Sequence, residues 1–367
     1  MNHCRVPNVN MLTVSDMKTL SLVISSILLA CSSSPAESDG GSDAAQQQDV
    51  AAQDVQQQQD AAKDAGAPSL QTVATTNASA YELAEGLAVR NGKAYIGLAP
   101  TGTVLEIDSK GNKTDYGHVP PGGNNGYTLG LVFGSQGELY VLQTLNVPDA
   151  GAPTPGVYKI PAGGGSATSP FATDPGFAFP NGGAFDAKGN LLVADSAAGR
   201  IFSVTPQGAV TTWKQDAELA GSTTCNAPLP FPIGANGIVF TSSAAYVSNT
   251  ANGSILKIDV DGNGNAGAVS VVVKDCKYVG FDGIALDSDG TLLAAINGAP
   301  GKLARVTTGG NVTILASASP LDGPASVAFA DGWNGGRYAL ITNSAFFGPS
   351  EDGGAPAPGL ISFGPLP

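Results

Sequence analysis

One unit of sequence recurs six times, and few folds accommodate that. The copies begin at Glu85 ("EGLAVRNGKAYIG"), Leu129 ("LGLVFGSQGELYVL"), Asn181 ("NGGAFDAKGNLLVA"), Asn236 ("NGIVFTSSAAYVS"), Asp282 ("DGIALDSDGTLLAA") and Ala325 ("ASVAFADGWNGGRYALI"), 43 to 55 residues apart. Each is a short apolar strand, a turn rich in Gly, Asp and Asn, and a second apolar strand. A Gly-led third strand follows in every copy ("GTVLEID", "GVYKIP", "GRIFSVT", "GSILKID", "GKLARVT", "GLISF"), and a fourth in most ("AVTTWKQ", "VSVVVKD", "NVTILAS"). Four strands at this period describe a propeller blade. The sixth copy ends before a fourth strand, while "SLQTVATT" (residues 69–76) precedes the first copy as a spare one. The reading is an all-β, six-bladed β-propeller of four-stranded blades over residues 69–367, closed by that N-terminal strand. An open solenoid, the alternative, leaves "GLISF" as an uncovered sheet edge.

The residues before the propeller have a different character. Residues 17–31, "MKTLSLVISSILLAC", join one Lys, a run of about eleven apolar residues and a terminal Cys, the layout of a secretory signal. Leu28-Leu29-Ala30-Cys31 resembles a bacterial lipobox, with Leu29 larger than usual. The expectation is a signal peptide over 1–31 with Cys31 lipidated; simple secretion is the alternative. Residues 32–68 are dominated by Ser, Ala, Gln, Asp and Gly with no aromatic residue, so they read as a disordered tether. As a flexible coil it spans roughly 30–35 Å. The expected location is the bacterial cell envelope, lipid-anchored at the outer membrane or its periplasmic face. A net charge of −13 with 17 Lys and Arg argues against a nucleic-acid partner. A monomer is expected, touching membrane through its lipid alone.

The first residue of each copy begins an innermost strand, so all six point toward one axis. Four of the six bear side-chain oxygens: Glu85, Asn181, Asn236 and Asp282. Two carboxylates and two amide carbonyls form a hard-oxygen set that suits Ca²⁺ better than Zn²⁺, other divalent cations remaining possible. Turn-capping residues in a wet channel are the alternative, because Asn and Asp before Gly are common turn formers. Glu85 discriminates, since Glu has no such preference.

Glu85-Gly86, Asn181-Gly182, Asn236-Gly237 and Asp282-Gly283 in successive copies resemble the senescence marker protein / gluconolactonase / luciferin-regenerating enzyme family and the related diisopropylfluorophosphatase. The resemblance spans roughly residues 70–367. It implies a divalent cation on the propeller axis, with Glu85, Asn236 and Asp282 as ligands and Asn181 as a further ligand or substrate contact. This chain departs from the pattern at Leu87-Ala88, where an aromatic residue is usual, and has no clear match to the family's substrate-binding Arg.

A cation on such a site polarises a carbonyl or phosphoryl oxygen. Asp282 or Glu85 then serves as general base or nucleophile, and hydrolysis of a small lactone, ester or phosphoester follows. A non-catalytic binding propeller with a structural channel ion is the rival, since the fold alone decides nothing. His118 is the one histidine beyond the N-terminal segment, and it is placed in the loop leading to the second copy. Tyr127, Phe179, Phe231 and Phe281 are candidates to line an apolar approach. Cys225 and Cys276 lie shortly before Asn236 and Asp282; a disulfide pinning two mouth loops is expected, with two free thiols as the alternative. "DVDGNGNAG" from Asp259 has a calcium-loop look, but Ser270 stands where such a loop needs Glu, so a tight turn is expected.

Overall fold

The computed structural model describes residues 67–122, 126–145, 154–229, 231–346 and 355–367. The signal segment with Cys31, and all but the last two residues of the tether, lie outside the described residues.

Six sheets of antiparallel blade strands stand around a common axis, that of blade one extended by Gly165–Ser166, which pairs parallel with Lys113–His118. Their innermost strands are Ala84–Arg90, Gly126–Phe133, Pro180–Phe185, Ala235–Phe240, Phe281–Leu286 and Pro324–Trp333. Each packs against the innermost strand of the next blade, and Ala84–Arg90 packs against Pro324–Trp333, so the ring is closed. Ser69–Thr75 pairs antiparallel with Gly359–Leu366 as the outer strand of blade six. The expected propeller and its closure by the N-terminal strand are borne out. Blade two is reduced: it holds three strands, and a single bridge between Val157 and Ala172 stands in place of the fourth.

The core lies between the blades. Six apolar clusters fill the six gaps, among them Ile96, Leu340 and Trp333 between blades one and six, and Leu192, Val247 and Ile258 between blades three and four. A sheet covered on both faces needs apolar residues at consecutive positions, which is why "LLVAD" and "LLAAI" are buried throughout.

One irregularity repeats in all six blades. The pairing of first and second strands slips by one residue, for example between Ala84↔Leu98 and Leu87↔Ile96, and between Phe281↔Ile296 and Ile284↔Ala294. The same slip occurs in blades two, three, four and six. The bulge falls on the first residue of each repeat and its successor, and an extra residue in a strand turns its side chain out of the regular alternation.

The second strands tie down the loops that lead into the first. Asp195 accepts backbone N–H bonds from Ala178 and Phe179, and the Asn249 amide donates to the carbonyls of Glu218 and Ala220. Gln143 and Asn343 donate likewise to Pro120 and Pro320. The ends of the inner strands are therefore fixed on their mouth side.

Candidate metal centre

The bulges place Glu85, Asn181, Asn236 and Asp282 in one layer of the ring, all four buried. Leu129 and Ala325 fill the remaining two positions. Glycine after the marked residue is demanded by packing. A Cβ on Gly182 would lie 2.2 Å from the Asn236 carbonyl oxygen, and one on Gly237 would lie 2.6 Å from that of Asp282. Each inner strand rests its backbone on the marked residue of the next blade. At the join between blades six and one, where Ser326 replaces glycine, the Thr342 hydroxyl donates to the Glu85 carbonyl.

Hydroxyl groups one position beyond the second strands orient the two amides. Ser196 Oγ donates to the Ala235 carbonyl at 2.7 Å, so toward Asn181 it can only accept, and Asn181 Nδ2 donates to it at 3.1 Å. Thr250 Oγ1 donates to the Phe281 carbonyl at 2.8 Å and accepts from Asn236 Nδ2 at 3.0 Å. Fixing each Nδ2 on its hydroxyl turns each Oδ1 the other way, presenting a carbonyl oxygen as the remaining face of the amide. Asn297 occupies the same position in blade five, and its Nδ2 donates to Asp282 Oδ2 at 2.9 Å.

Asp282 is pushed up to about 7 by burial, against the opposing pull of hydrogen bonds from the Asn297 and Asn236 side chains and the Gly283 backbone. Burial, and then the charge of Asp282, holds Glu85 well above the usual carboxylate range. The structure thus brings Asp282 within reach of both Glu85 and Asn236, while the Asn181 amide is engaged by Ser196. Among the described residues no group of three or more His, Cys, Asp and Glu is arranged to hold a metal ion; this layer instead offers two carboxylates and two amide groups. Two buried carboxylates with no Lys or Arg ion-paired to them among the described residues fit a hard divalent cation.

Other expected residues fall as follows. Cys225 and Cys276 are joined with Cα atoms 5.2 Å apart, linking the loops that lead into blades four and five. His118 is not in the loop before blade two: it ends the outer strand of blade one, Lys113–His118, with Nε2 2.9 Å from Asp115. Phe281 does not line an approach either. It is fully buried between blades four and five, packed in one apolar cluster with Tyr246, Ile255 and Ile296. The Asp259 segment is a tight turn, in which Asp261 accepts from the backbones of Asn263 and Asn265 at 2.8 Å. Ser196, Thr250 and Asn297 escaped the sequence reading, although each stands at one fixed place in its repeat ("ADS", "SNT", "AIN").

The fold and this layer define a six-bladed propeller with an oxygen-rich, carboxylate-bearing axial site. Residues 232–344, which include Asn236 and Asp282, match the SMP-30/Gluconolactonase/LRE-like region family, the same family that the four dipeptide motifs resemble. No curated protein sequence matches the chain. Among solved structures, a luciferin-regenerating enzyme is similar at 14% identity and a TM-score of 0.56, over 82% of this chain and 96% of that one. A gluconolactonase from Xanthomonas campestris is similar at 15% and 0.57, over 82% and 90%. Regucalcin, a calcium-binding protein from Agrobacterium tumefaciens, is similar at 17% and 0.54, over 77% and 90%. At these identities the structures speak for the fold.

Proposed function

We propose that the protein is an envelope-anchored, Ca²⁺-dependent hydrolase of a small lactone, ester or phosphoester. The observation that carries the reading is the buried Glu85–Asp282 carboxyl pair, to which no Lys or Arg is ion-paired among the described residues. Glu85, Asn236 and Asp282, with Asn181 as a further ligand or substrate contact, would hold the cation. When bound, the cation would supply polarisation of the substrate oxygen and stabilise the charge that develops on it. Asp282 is the better placed base, since Asn297 fixes one of its oxygens. In hydrolysis of an ester, a water oxygen bonds to the carbonyl carbon while Asp282 takes the water proton. The bond to the leaving oxygen then breaks, and the proton passes to that oxygen. Ser196 and Thr250 keep the two amides turned so that nothing need reorganise during the reaction. In this reading a lipid on Cys31 holds the monomeric head at the envelope.

Calcium titration calorimetry on the wild type, Glu85→Gln and Asp282→Asn tests it. One equivalent bound by the wild type and lost in both variants is expected, together with turnover in a screen of lactones, aryl esters and phosphoesters. Binding without turnover leaves the ion structural and favours a binding propeller. No calcium binding by the folded wild type overturns the reading.

A further inference from the structure

A cavity of about 470 Å³ opens between blades one and two, at the end of the propeller away from Glu85. Glu85 stands near the head of the strand Ala84–Arg90 and Arg90 ends it, so the two lie on the order of 15 Å apart along the strand. Tyr95 forms the floor of the cavity. It is buried and meets Tyr116 and Phe133 edge to face, with ring centroids 4.8 and 4.7 Å away. Tyr116 and Phe133 are half-buried and line the sides.

The acidic groups around this cavity already have partners. Glu106 accepts from the Tyr95 hydroxyl through Oε2 at 2.8 Å and is ion-paired with Lys93 through Oε1. Asp115, on the exposed outer strand, lies 2.9 Å from His118 Nε2. Arg90 differs. Among the described residues it is ion-paired to no carboxylate; its guanidinium carbon lies 5.2 Å from the centroid of Phe133, and Nη1 makes its one hydrogen bond, to the Gly134 carbonyl at 3.2 Å. Gly137 keeps the rest of the fork uncovered, since a Cβ there would lie 3.2 Å from Nη2. A guanidinium carries five N–H donors in one plane, so most of this one remains to be used.

We propose that this cavity binds a small aromatic carboxylate, with the carboxylate on the Arg90 fork and the ring against Tyr116 and Phe133. Its volume is that of a small-molecule site. The planar fork matches the two oxygens of a carboxylate, and the rings offer edge-to-face contact to a flat apolar body. Acetate reaches the fork without covering the rings, and an aromatic amine leaves the fork unpaired. The site stands apart from the axial oxygens, so the inference holds whether or not the hydrolase reading does.

Benzoate is the probe, titrated into the purified protein in chelator with ligand-observed NMR as the readout, beside acetate and benzylamine. Chelation removes an axial cation as a rival partner for the carboxylate, and Asp282→Asn is a second control. Arg90→Gln removes the fork. Gln136→Glu, at an exposed turn position on the rim, adds a competing carboxylate. Benzoate is expected to bind more tightly than acetate or benzylamine, to be indifferent to Asp282→Asn, and to weaken about 10-fold or more in Arg90→Gln and in Gln136→Glu. If Arg90→Gln does not fold, Gln136→Glu decides alone. No benzoate binding by the folded wild type overturns the proposal, as does unchanged binding in folded Arg90→Gln, or acetate or benzylamine binding as tightly as benzoate. Binding lost in Asp282→Asn assigns the ligand to the axial site and overturns it as well.

Discussion

Asp282 of blade five lies near enough to Glu85 of blade one that its charge, after burial, raises the Glu85 titration. The sign of the resulting pH dependence follows. With calcium removed, folded Asp282 keeps its proton up to about pH 7, whereas the unfolded chain loses it near 3.8. That contribution to stability is complete below the unfolded value and is lost as pH rises through the folded one. Thermal denaturation of the chelated protein should therefore show a lower Tm at pH 8 than at pH 5. Calcium should raise Tm more at pH 8, where the carboxylates it pairs with are ionised. A Tm that rises from pH 5 to 8 in chelator would contradict the raised titration.

Asp282→Asn removes a charge while keeping the shape of the side chain. Calcium affinity should fall by at least about 100-fold, equivalent to about 2.7 kcal/mol. The metal-free variant should be no less stable than the wild type at pH 8, since a buried charge has gone. Calorimetry and thermal melts on one preparation check both halves.

Gly182→Ala should damage two blades at once. The added methyl would sit 2.2 Å from the Asn236 carbonyl oxygen, a backbone atom with little freedom to move. A loss of about 1–3 kcal/mol or more is expected from the overpacking, along with weakened calcium binding through the displaced Asn236. Gly189→Ala, at a turn where a Cβ meets nothing within 4 Å, has φ +82 and should cost only the left-handed strain of about 1–2 kcal/mol, with calcium binding intact. Urea denaturation separates the two.

The bond between Cys225 and Cys276 closes a loop of 51 residues. Chain entropy assigns such a closure about 4 kcal/mol. The Cys225→Ser, Cys276→Ser double variant should lose on the order of 10 °C in Tm. Its calcium affinity should fall as well, because the bond joins the loops leading to Asn236 and Asp282.

Removing Ser69–Thr75 strips the outer strand from blade six and exposes the edge of Gly359–Leu366. The shortened chain should melt at lower temperature and self-associate through that edge. Size-exclusion chromatography against concentration detects it; a monomer with unchanged stability would mean that the pairing of Ser69–Thr75 with Gly359–Leu366 adds nothing to closure.

The repeats made the propeller legible before any coordinates, because each copy carries its own turns and apolar runs. The position of Glu85, Asn181, Asn236 and Asp282 at the head of four copies was legible for the same reason. His118 and Phe281 were misplaced because strand ends and side-chain facing depend on pairing register, which the Gly following the first residue in five of the six copies does not by itself reveal. Ser196 and Thr250 looked like ordinary strand-end polar residues; their role emerges only where the next blade brings a carbonyl to accept their protons.

By itself, the sequence determined how many blades form, which strand closes the ring and which residue types reach the axis, since these follow from local pattern repeated along the chain. The tertiary structure alone decided which way each amide points, how strongly Glu85 and Asp282 hold their protons, and that Arg90 stacks on Phe133. Those outcomes depend on desolvation and on contacts between blades distant in the chain, and neither is encoded within a single repeat.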